Sequence, residues 1–394
     1  MGRWTKAAVR STINQSNLKN NTAIRSEIIM CRYKIIILIC LSVVLSAAAK
    51  NPTALELLDK YAETQNKIYK SFVIKFEEAR EQYNSHTYGI EKGNRRGGSF
   101  CEMRFDGRRF YAIRNDFGNC MPNVRIFIPK EDPMYSVILW DGRFHYTFGK
   151  QPDKELEELA EKRFKTVQER EKFLKDRAGL LTITNRPERA KGGPGDFLGA
   201  ITGHCDDFHK PRLISILRKA GKISVRDEME RIGTSKCYVM DAEAKLDRYT
   251  IWIDPEHGYN IAQFEDKWER ILKKSQTDPG RKIQRDVSIK NVRFKKSAGI
   301  WIPVEAEVSD VTRNIGKGML RISKRRYKRT DIILNPDHER LGSFAPDFPN
   351  DSRVQVKGIE GIDESKNYTW RDGEVVDEKG RVVFDSKTKK AERR

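Results

Sequence analysis

The sequence predicts a mainly β protein of the α+β class, built on one large antiparallel sheet with a helix lying across it. Asp106-Gly107 and Asp141-Gly142 each separate two short alternating runs, which is the strongest short-range signal of a β-hairpin. Hairpins in succession form a meander, the simplest route to a wide antiparallel sheet. The segment from Thr53 to Tyr69 carries apolar residues at helical spacing and supplies the helix.

The clearest single hairpin runs from Tyr249 to Glu265. Its first half alternates, with Tyr249, Ile251 and Ile253 on one face, and its second half alternates again from Tyr259. The intervening sequence, DPEHG, supplies turn chemistry, because proline presets one φ angle and glycine adopts positive φ freely. This segment predicts two neighbouring strands in the middle of the second run of strands.

The first helix begins at a capping box formed by Thr53 and Glu56, directly after Pro52. Its predicted apolar face consists of Leu55, Leu58, Ala62, Gln65 and Ile68. The predicted strands of the main sheet are Phe72–Gln82, Ser99–Phe105, Arg109–Asn115, Tyr135–Trp140, Phe144–Phe148, Ile223–Ile232, Ser235–Glu243, the hairpin above, Arg285–Phe294, Ile300–Ser309, Gly318–Lys328 and Thr330–Asn335.

A helical insertion interrupts the strands between residues 153 and 220. Asp153 to Ala178 is predicted as one charged helix, followed by a loop from Asn185 to Gly195. Asp196–Thr202 and Pro211–Ala220 are short apolar or helical pieces. Beyond Pro336 the chain is irregular until a small hairpin near Tyr368–Val376 and Gly380–Phe384, followed by a polar tail.

The charge of the chain is strongly basic, with a formal net charge of +20 over 394 residues. Lys, Arg, Asp and Glu are interspersed and no nucleic-acid recognition motif accompanies them, so no nucleic-acid partner is predicted. The densest basic run is Lys324–Arg329. It has two interpretations, a contact with anionic lipid head groups or a solvated strand end that blocks strand-to-strand aggregation.

The N-terminus predicts export. Arg32 and Lys34 precede the apolar run Ile35–Ala49, which ends in three small residues, the pattern of a cleaved signal peptide. Residues 1–49 are therefore predicted as a signal peptide, with Met30 as an alternative start of translation and a mature chain from Lys50. The other interpretation is an uncleaved anchor, although the run is shorter than a membrane span. The predicted location is the periplasm or cell envelope.

Four cysteines follow the signal segment, and an exported chain permits two disulfides. Cys101 and Cys120 flank a predicted hairpin, and Cys205 and Cys237 remain as the other pair. Four buried thiols are the alternative.

Several stretches carry a resemblance to a known family: MRFDGRRFY, VILWDGRFHYTF, YTIWIDPEHGYNIAQFE, GIWIPVEAEV and TDIILNP, in that order after a helix. Together they resemble exported proteins of the LolA/LolB-like lipoprotein-carrier superfamily, in particular the large members of planctomycete-type bacteria. The resemblance covers about Thr53 to Asn335. This chain is longer than the carrier proper, with its helical insertion and a C-terminal extension.

The resemblance implies a strongly curved antiparallel sheet, an incomplete β-barrel, with helices covering its open, concave side. It places a half-barrel domain at 50–345, containing the insertion at 153–220, and a C-terminal extension at 346–394. In the carriers the apolar concave face holds acyl chains, so the implied partner is a lipid or acylated protein, bound by a monomer that also meets the envelope membrane surface. The candidate cavity residues are Phe100, Phe110, Ala112, Trp140, Phe144, Tyr146, Trp252 and Trp301. The alternative is a cell-envelope structural or interaction module with a filled core and no cargo.

Catalytic chemistry has little support in the sequence. The cluster from His204 to His209 holds two histidines, one cysteine and two aspartates, but its spacing matches no structural zinc pattern. Asp254, Glu256 and His257 resemble a catalytic set, yet turn chemistry already explains them. No nucleophile elbow, zincin helix or phosphate loop is present. We therefore predict a protein that is not an enzyme and that uses no metal or cofactor.

Overall fold

The computed structural model describes residues 51–85, 93–119, 128–150, 153–177, 179–185, 213–244, 247–272, 281–315, 318–388 and 390–391. Thr53–Arg394 form one compact unit. The predicted signal peptide, most of the loop after Thr184 and the His204–His209 cluster lie outside the described residues. Among the helices that the structure describes, none has the length and apolarity needed to cross a membrane.

Strands dominate the described chain. The helices are α1 (Ala54–Tyr69), α2 (Asp153–Arg163), α3 (Val167–Arg177) and α4 (Leu213–Arg218). The strands are β1 (Phe72–Asn84), β2 (Gly93–Phe105), β3 (Phe110–Gly118), β4 (Met134–Trp140), β5 (His145–Lys150), β6 (Leu180–Thr184), β7 (Lys222–Val225), β8 (Glu230–Ile232), β9 (Ser235–Ala244), β10 (Asp247–Asp254), β11 (Asn260–Leu272), β12 (Arg281–Ser297), β13 (Ile300–Asn314), β14 (Met319–Leu334), β15 (Arg353–Lys357), β16 (Tyr368–Arg371), β17 (Glu374–Val376), β18 (Val382–Asp385) and β19 (Lys390–Ala391).

The sheet is a long antiparallel meander that folds through both halves of the chain. Strands β9 to β14 pair in sequence, and β14 then pairs with β1, which begins the second meander, β1 to β6. The two halves meet where Phe72–Asn84 pairs with Arg321–Leu334. The result is a large, curved and unclosed sheet, which confirms the predicted mainly β fold with an incomplete barrel.

The predicted hairpins form around one repeated turn device. Asp106 Oδ1 accepts the backbone N–H groups of Arg108 and Arg109 at 2.9 and 2.6 Å. Asp141 Oδ1 accepts those of Arg143 and Phe144, both at 2.8 Å. The glycine after each aspartate has φ +92°, a left-handed conformation that a side chain would strain. The Asp-Gly signal therefore locates both turns.

Helix α1 begins as predicted and buries three of the five residues predicted for its apolar face, Leu58, Gln65 and Ile68. Thr53 accepts the N–H of Glu56 while the Glu56 carboxylate accepts that of Thr53, so the capping box is formed. The buried residues are Leu57, Leu58, Tyr61, Gln65, Ile68 and Tyr69. Leu55, predicted to be on the apolar face, is 58% exposed. Leu57 and Tyr61 present more apolar surface than Leu55 and Ala62, and burying them turns the helix.

In its described residues, the predicted insertion contains three helices, α2, α3 and α4, and a strand. The single helix predicted for Asp153–Ala178 is interrupted near Phe164, and Thr166 with Glu169 forms a second capping box that begins α3. Strand β6 follows within the same insertion and pairs with β5. Part of the predicted insertion, strand β6, therefore belongs to the main sheet.

The C-terminal extension also joins the sheet. Strand β15 pairs in parallel with β6, and β16 to β19 continue outwards as an antiparallel set. Side chains of this extension, including Phe348, Trp370 and Phe384, pack against the outer face of β4–β6. The sheet thus carries a core on each face, one under α1 and one under the C-terminal strands.

Candidate functional site

The concave face of the sheet is divided along its strands into an apolar half and a charged half. On β1, side chains on one face run Phe72, Ile74, Phe76 and then Glu78 and Arg80. The first three belong to the core under α1. Because alternate residues of a strand share a face, the charged pair continues the same concave surface beyond the helix.

The apolar half is filled by α1. Leu57, Leu58 and Ile68 are 0% exposed, and they pack against apolar side chains from both meanders of the sheet. Met103, Ala112, Ile253 and Phe264 are among their buried neighbours in that core. The helix therefore occupies the surface that the family resemblance assigns to an acyl chain.

Polar contacts fix α1 at several points along its length. Thr64 Oγ1 donates to the carbonyl of Gly258 at 2.5 Å, and Gln65 Nε2 donates to Asn260 Oδ1 at 3.3 Å. Arg329 Nη2 donates to the Tyr69 hydroxyl at 2.8 Å in a buried contact. The helix is thus bonded to the β10–β11 turn and to β14, in addition to its apolar packing.

The charged half, called here the concave strip, consists of side chains from six strands that share this face by register. Its members are Glu78, Arg80, Arg114, Asp116, Asp266, Arg285, Asp310, Arg321 and Arg325. Five arginines and four carboxyl groups therefore lie together on one surface of the half-barrel.

A buried carboxylate organises one end of the concave strip. The Glu78 side chain is 1% exposed, and Arg80 donates to its Oε1 from Nε and Nη2 at 2.9 and 2.6 Å. Arg114 Nη2 lies 3.3 Å from Oε2, and Arg325 Nε lies 3.9 Å from Oε1. Three guanidinium groups thus surround one buried carboxyl group.

Arg114 is also bonded to β2 and β3. Its Nε donates to Asp116 Oδ1 at 2.8 Å and its Nη2 donates to Ser99 Oγ at 2.9 Å, while Ser99 itself donates to Asp116. Burial opposes the charge of Arg114, but Glu78 and Asp116 outweigh it and raise the pKa of the guanidinium. Arg114 is therefore a fixed part of the network.

The other end of the concave strip is more open. Arg285 holds Asp310 with two hydrogen bonds, Nε at 3.1 Å and Nη2 at 2.7 Å. Burial disfavours the Asp310 carboxylate, yet the bonds from Arg285 prevail and lower its pKa. Burial raises the pKa of Asp266 to about 6, and the neighbouring Asp247 adds to the rise. Asp266 is therefore mostly ionised at neutral pH and loses its charge as the pH falls through about 6.

Arg321 has a different environment from the other arginines. Within the described part of the chain, no carboxylate oxygen lies within 4.0 Å of its guanidinium. Burial lowers the pKa of Arg321; Asp310 opposes this, and Arg325, Arg285 and Arg80 add to the lowering. The residue as a whole is exposed although its guanidinium lies among protein atoms, so its positive charge lies near the surface beside other positive charges.

The Asp254–His257 pair forms a structural turn. Asp254 Oδ1 accepts the N–H groups of Glu256 and His257, and Oδ2 lies 2.6 Å from His257 Nδ1. Ser235 Oγ lies 3.4 Å from the same ring nitrogen, His257 Nδ1. A catalytic triad needs its hydroxyl and carboxylate on opposite ring nitrogens. The ring itself stacks on Phe294 and meets the edge of Trp301.

The eight predicted cavity residues occupy several places. Phe110, Ala112 and Trp140 lie in or against the core under α1, whereas Phe144 and Tyr146 lie in the core of the opposite face. Trp252 belongs to a small third cluster with Cys237, Val239 and Ala262. Phe100 packs against Phe117, and Trp301 packs against His257. The structure therefore brings three of the eight together on the concave face.

Two of the four cysteines are described. Cys101 lies in the core under α1 and Cys237 in the third cluster, both buried. Their predicted partners, Cys120 and Cys205, lie outside the described residues, so both pairings remain predictions. Among the residues that the structure describes, no group of three or more metal-ligating side chains is gathered.

The basic run of β14 divides between the two faces. Arg325, Tyr327 and Arg329 point to the concave side, while Lys324, Arg326 and Lys328 take the outer side. Lys324 and Arg326 line a groove of about 590 Å³ together with Arg96 and Lys290, and Arg325 contributes to the same lining. The basic side chains of this run therefore lie in two sets, one on each face of β14, and do not form a single patch.

The concave strip was not found from the sequence, although its signal is present. Glu78 and Arg80 alternate in step with Phe72, Ile74 and Phe76, so they share one face of β1. Arg114 and Asp116 share a face of β3 with Phe110 and Ala112 in the same way. Charged residues at core-facing positions of two strands that are separated only by β2 indicate a buried polar network. The alternation continues to the end of β3, which runs past its predicted end at Asn115.

Comparison with known proteins gives little guidance. No family model matches the chain, and no curated protein matches it. A structure of the Pseudomonas aeruginosa MucA/MucB complex is similar over 71% of this chain and 99% of that chain, with 9% identity and a TM-score of 0.20. A crystal structure of MucB in complex with MucA(peri) covers 71% and 98%, with 7% identity and a TM-score of 0.18. Scores this low carry no argument, so the function is inferred from this chain's own residues.

Proposed function

We propose that the protein is an exported, non-enzymatic interaction module, in which a carrier-like half-barrel is filled by its own helix and binds a partner through the concave strip. The observation that carries this proposal is the burial of α1, whose residues Leu57, Leu58 and Ile68 are 0% exposed on the apolar half of the concave face. A carrier of acyl chains needs that surface free. Membership of the LolA/LolB-like superfamily is part of the proposal and is supported by the curved, unclosed sheet with a helix across it.

The energetics favour a permanent helix over a displaceable lid. Fully burying one leucine or isoleucine side chain contributes about 1.5–3 kcal/mol, and three such residues of α1 are fully buried. The hydrogen bonds from Thr64, Gln65 and Arg329 would be broken as well if the helix left. An acyl chain would have to compensate for all of these contacts.

The lipid-carrier alternative is tested by acyl-chain binding. Purified protein is extracted for mass spectrometry of bound amphiphiles and titrated with a fluorescent fatty acid. We expect no stoichiometric amphiphile and no saturable binding. Binding of one probe per chain would overturn the filled-module proposal and restore the carrier.

A matched pair of variants shows that the probe assay can detect space under α1. Leu58→Ala removes a fully buried side chain from that core, whereas Leu55→Ala removes one that is 58% exposed on the same helix. Apolar cavities engineered this way bind small apolar molecules. We expect a small apolar probe such as benzene to bind Leu58→Ala, with neither the wild type nor Leu55→Ala showing binding.

Export is the second part of the proposal. Its support is the basic pair Arg32 and Lys34 before the apolar run that ends in Ala47–Ala49. The test is mass spectrometry of the N-terminus of the protein recovered from its native cells. A mature N-terminus at Lys50 agrees with a cleaved signal peptide, and a retained apolar run would contradict it.

A further inference from the structure

We propose that Arg321 and Arg325, with Arg285 beside them, bind a compact phosphate-class oxyanion on the concave strip. The inference rests on the proposed function, because it names the chemical group by which a partner or ligand would be held there. It begins from an imbalance in pairing, since two of the five arginines in the strip have no carboxylate oxygen within hydrogen-bond distance in the part of the chain that the structure describes.

The imbalance is concentrated in two side chains. Arg80, Arg114 and Arg285 each have a carboxylate oxygen within 2.6–2.8 Å. Arg325 reaches Glu78 only at 3.9 Å, and its other contacts, with Ser323 Oγ and Tyr327 OH, are 3.5 and 3.4 Å long. Arg321 has no carboxylate oxygen within 4.0 Å in the part of the chain that is described. Both guanidinium groups therefore retain hydrogen-bond donors.

Strand register directs these two groups to one area. Arg321 and Arg325 lie on the same face of β14, with Ser323 between them on that face. At about 3.3 Å per residue their backbones are ~13 Å apart, a span that two arginine side chains leaning inward can bridge through one ligand. Arg285 is directly in line with Arg321 across the intervening Thr312. The three side chains thus surround Asp310, which lies directly opposite Ser323 and is bonded to Arg285.

The electrostatics of the area favour an anion. Arg325, Arg285 and Arg80 all destabilise the protonated form of Arg321, and Asp310 is already engaged by Arg285. An anion placed between Arg321 and Arg325 would relieve that repulsion and accept their open donors. A planar guanidinium fork matches the paired oxygens of a phosphate group.

The side chains around the proposed site are held by hydrogen bonds before any ligand binds. Glu78 and Asp116 hold Arg80 and Arg114, which form the wall next to Arg325. Ser323, between the two open arginines, is 1% exposed and keeps its hydroxyl against Arg325. The ligand would therefore meet arginines whose neighbours are already ordered, which lowers the cost of binding.

The experiment measures binding of inorganic phosphate and of pyrophosphate by calorimetry at matched ionic strength, with chloride as the reference anion. Arg321→Gln and Arg325→Gln each remove one open guanidinium. The matched control is Arg326→Gln, which removes the same charge one residue away, on the outer face of β14. We expect a loss of about tenfold or more in affinity for the first two variants and less than twofold for the control.

A second arm distinguishes a free ion from a head group. Vesicles of phosphatidylglycerol in phosphatidylcholine are compared with phosphatidylcholine alone for the same variants. Arg321-dependent binding of phosphate or pyrophosphate identifies a free oxyanion as sufficient. Arg321-dependent binding of the anionic vesicles only identifies an amphiphile head group. If neither ligand binds, or if Arg326→Gln weakens binding as much as Arg321→Gln, the proposal is overturned.

Thermal unfolding separates a binding role from a structural one. Without phosphate, Arg321→Gln should unfold at the same temperature as the wild type or higher, because a repelled charge is removed. With phosphate, the wild type should gain stability and the variant should not. Destabilisation of Arg321→Gln in the absence of any anion would assign Arg321 to the fold and overturn the proposal. Acyl-probe binding, which tests the filled module, has no bearing on this outcome.

Discussion

Arg80 on β1 lies directly opposite Arg325 on β14, at the seam where the two meanders of the sheet meet. Like charges in such positions repel each other. Glu78, two residues from Arg80 on the same face, lies 2.6 Å from Arg80 and 3.9 Å from Arg325 and offsets this repulsion. The seam of the fold thus depends on one buried carboxylate.

Glu78→Gln should destabilise the protein by about 3–5 kcal/mol, because it leaves the guanidinium groups of Arg80, Arg114 and Arg325 without their shared buried charge. Urea unfolding followed by tryptophan fluorescence measures the loss. Glu77→Gln is the control, since Glu77 is exposed on the opposite face of β1, and it should cost less than ~0.5 kcal/mol. Equal effects of the two variants would refute the role of Glu78.

Gly98→Ala should destabilise the protein by about 1–3 kcal/mol through overpacking. A Cβ at this position would lie 2.5 Å from the Glu78 carbonyl oxygen and 2.7 Å from Phe117 Cζ. Gly149→Ala is the matched control in another strand, where a Cβ meets nothing within 4 Å. Chemical denaturation of both variants tests this. A normal stability for Gly98→Ala would show that β1 and β2 are not so close there.

His145 should make stability fall with acid. Burial lowers its pKa from 6.5 to about 4 in the folded chain. Between these values the unfolded chain binds more protons, so stability falls as the pH drops from 6.5 towards 4, by at most about 3 kcal/mol. The loss is complete below the folded pKa and absent above pH 6.5.

The measurement compares the wild type with His145→Gln across pH 4–7 by urea unfolding. The variant should lack this part of the acid slope, so the difference in unfolding free energy between the two proteins should change with pH. Asp266, with its pKa raised to about 6, acts in the opposite direction over much of the same range. Its effect is present in both proteins and cancels in the difference. Parallel curves would contradict the prediction.

Trp370→Ala should cost about 3–5 kcal/mol by leaving a cavity in the core of the outer face. Trp370 is 1% exposed and meets the ring of Phe348 edge-on, with centroids 5.4 Å apart. Trp268→Ala, in the half-exposed stacking contact with Arg270, is the control and should cost about 1 kcal/mol or less. If the C-terminal strands were a dispensable tail, the Trp370 variant would unfold like the wild type.

Local signals in the sequence were sufficient for the turns and most strands. The carboxylates of Asp106, Asp141 and Asp254 accept the N–H groups of the residues that follow, so each turn is determined within a few residues of chain. The capping box of α1 is equally local. The exposed face of α1 was wrongly assigned at Leu55, because the helix orientation is set by the space under Leu57 and Tyr61.

The pattern of apolar residues in the sequence does not show which distant strands pair with each other. Nothing local to Arg353–Lys357 indicates that it runs parallel to Leu180–Thr184, since a parallel partner is distant in sequence and leaves no turn signal. The aromatic residues Phe144 and Tyr146 have the same pattern as Phe110 and Trp140, yet they pack in the opposite core. The strand pattern identifies two faces and does not say what covers each.

By itself the sequence determined the mainly β class, the Asp-Gly hairpins, the capped helix and the basic character of the chain, because each depends on neighbouring residues or on composition. Only the tertiary structure decided that α1 fills the apolar half of the concave face and that Glu78, Arg114, Arg285 and Arg325 gather on the other half. These groups come from strands far apart in the chain. Their charges act on one another only after the register of the sheet has brought them to a single face.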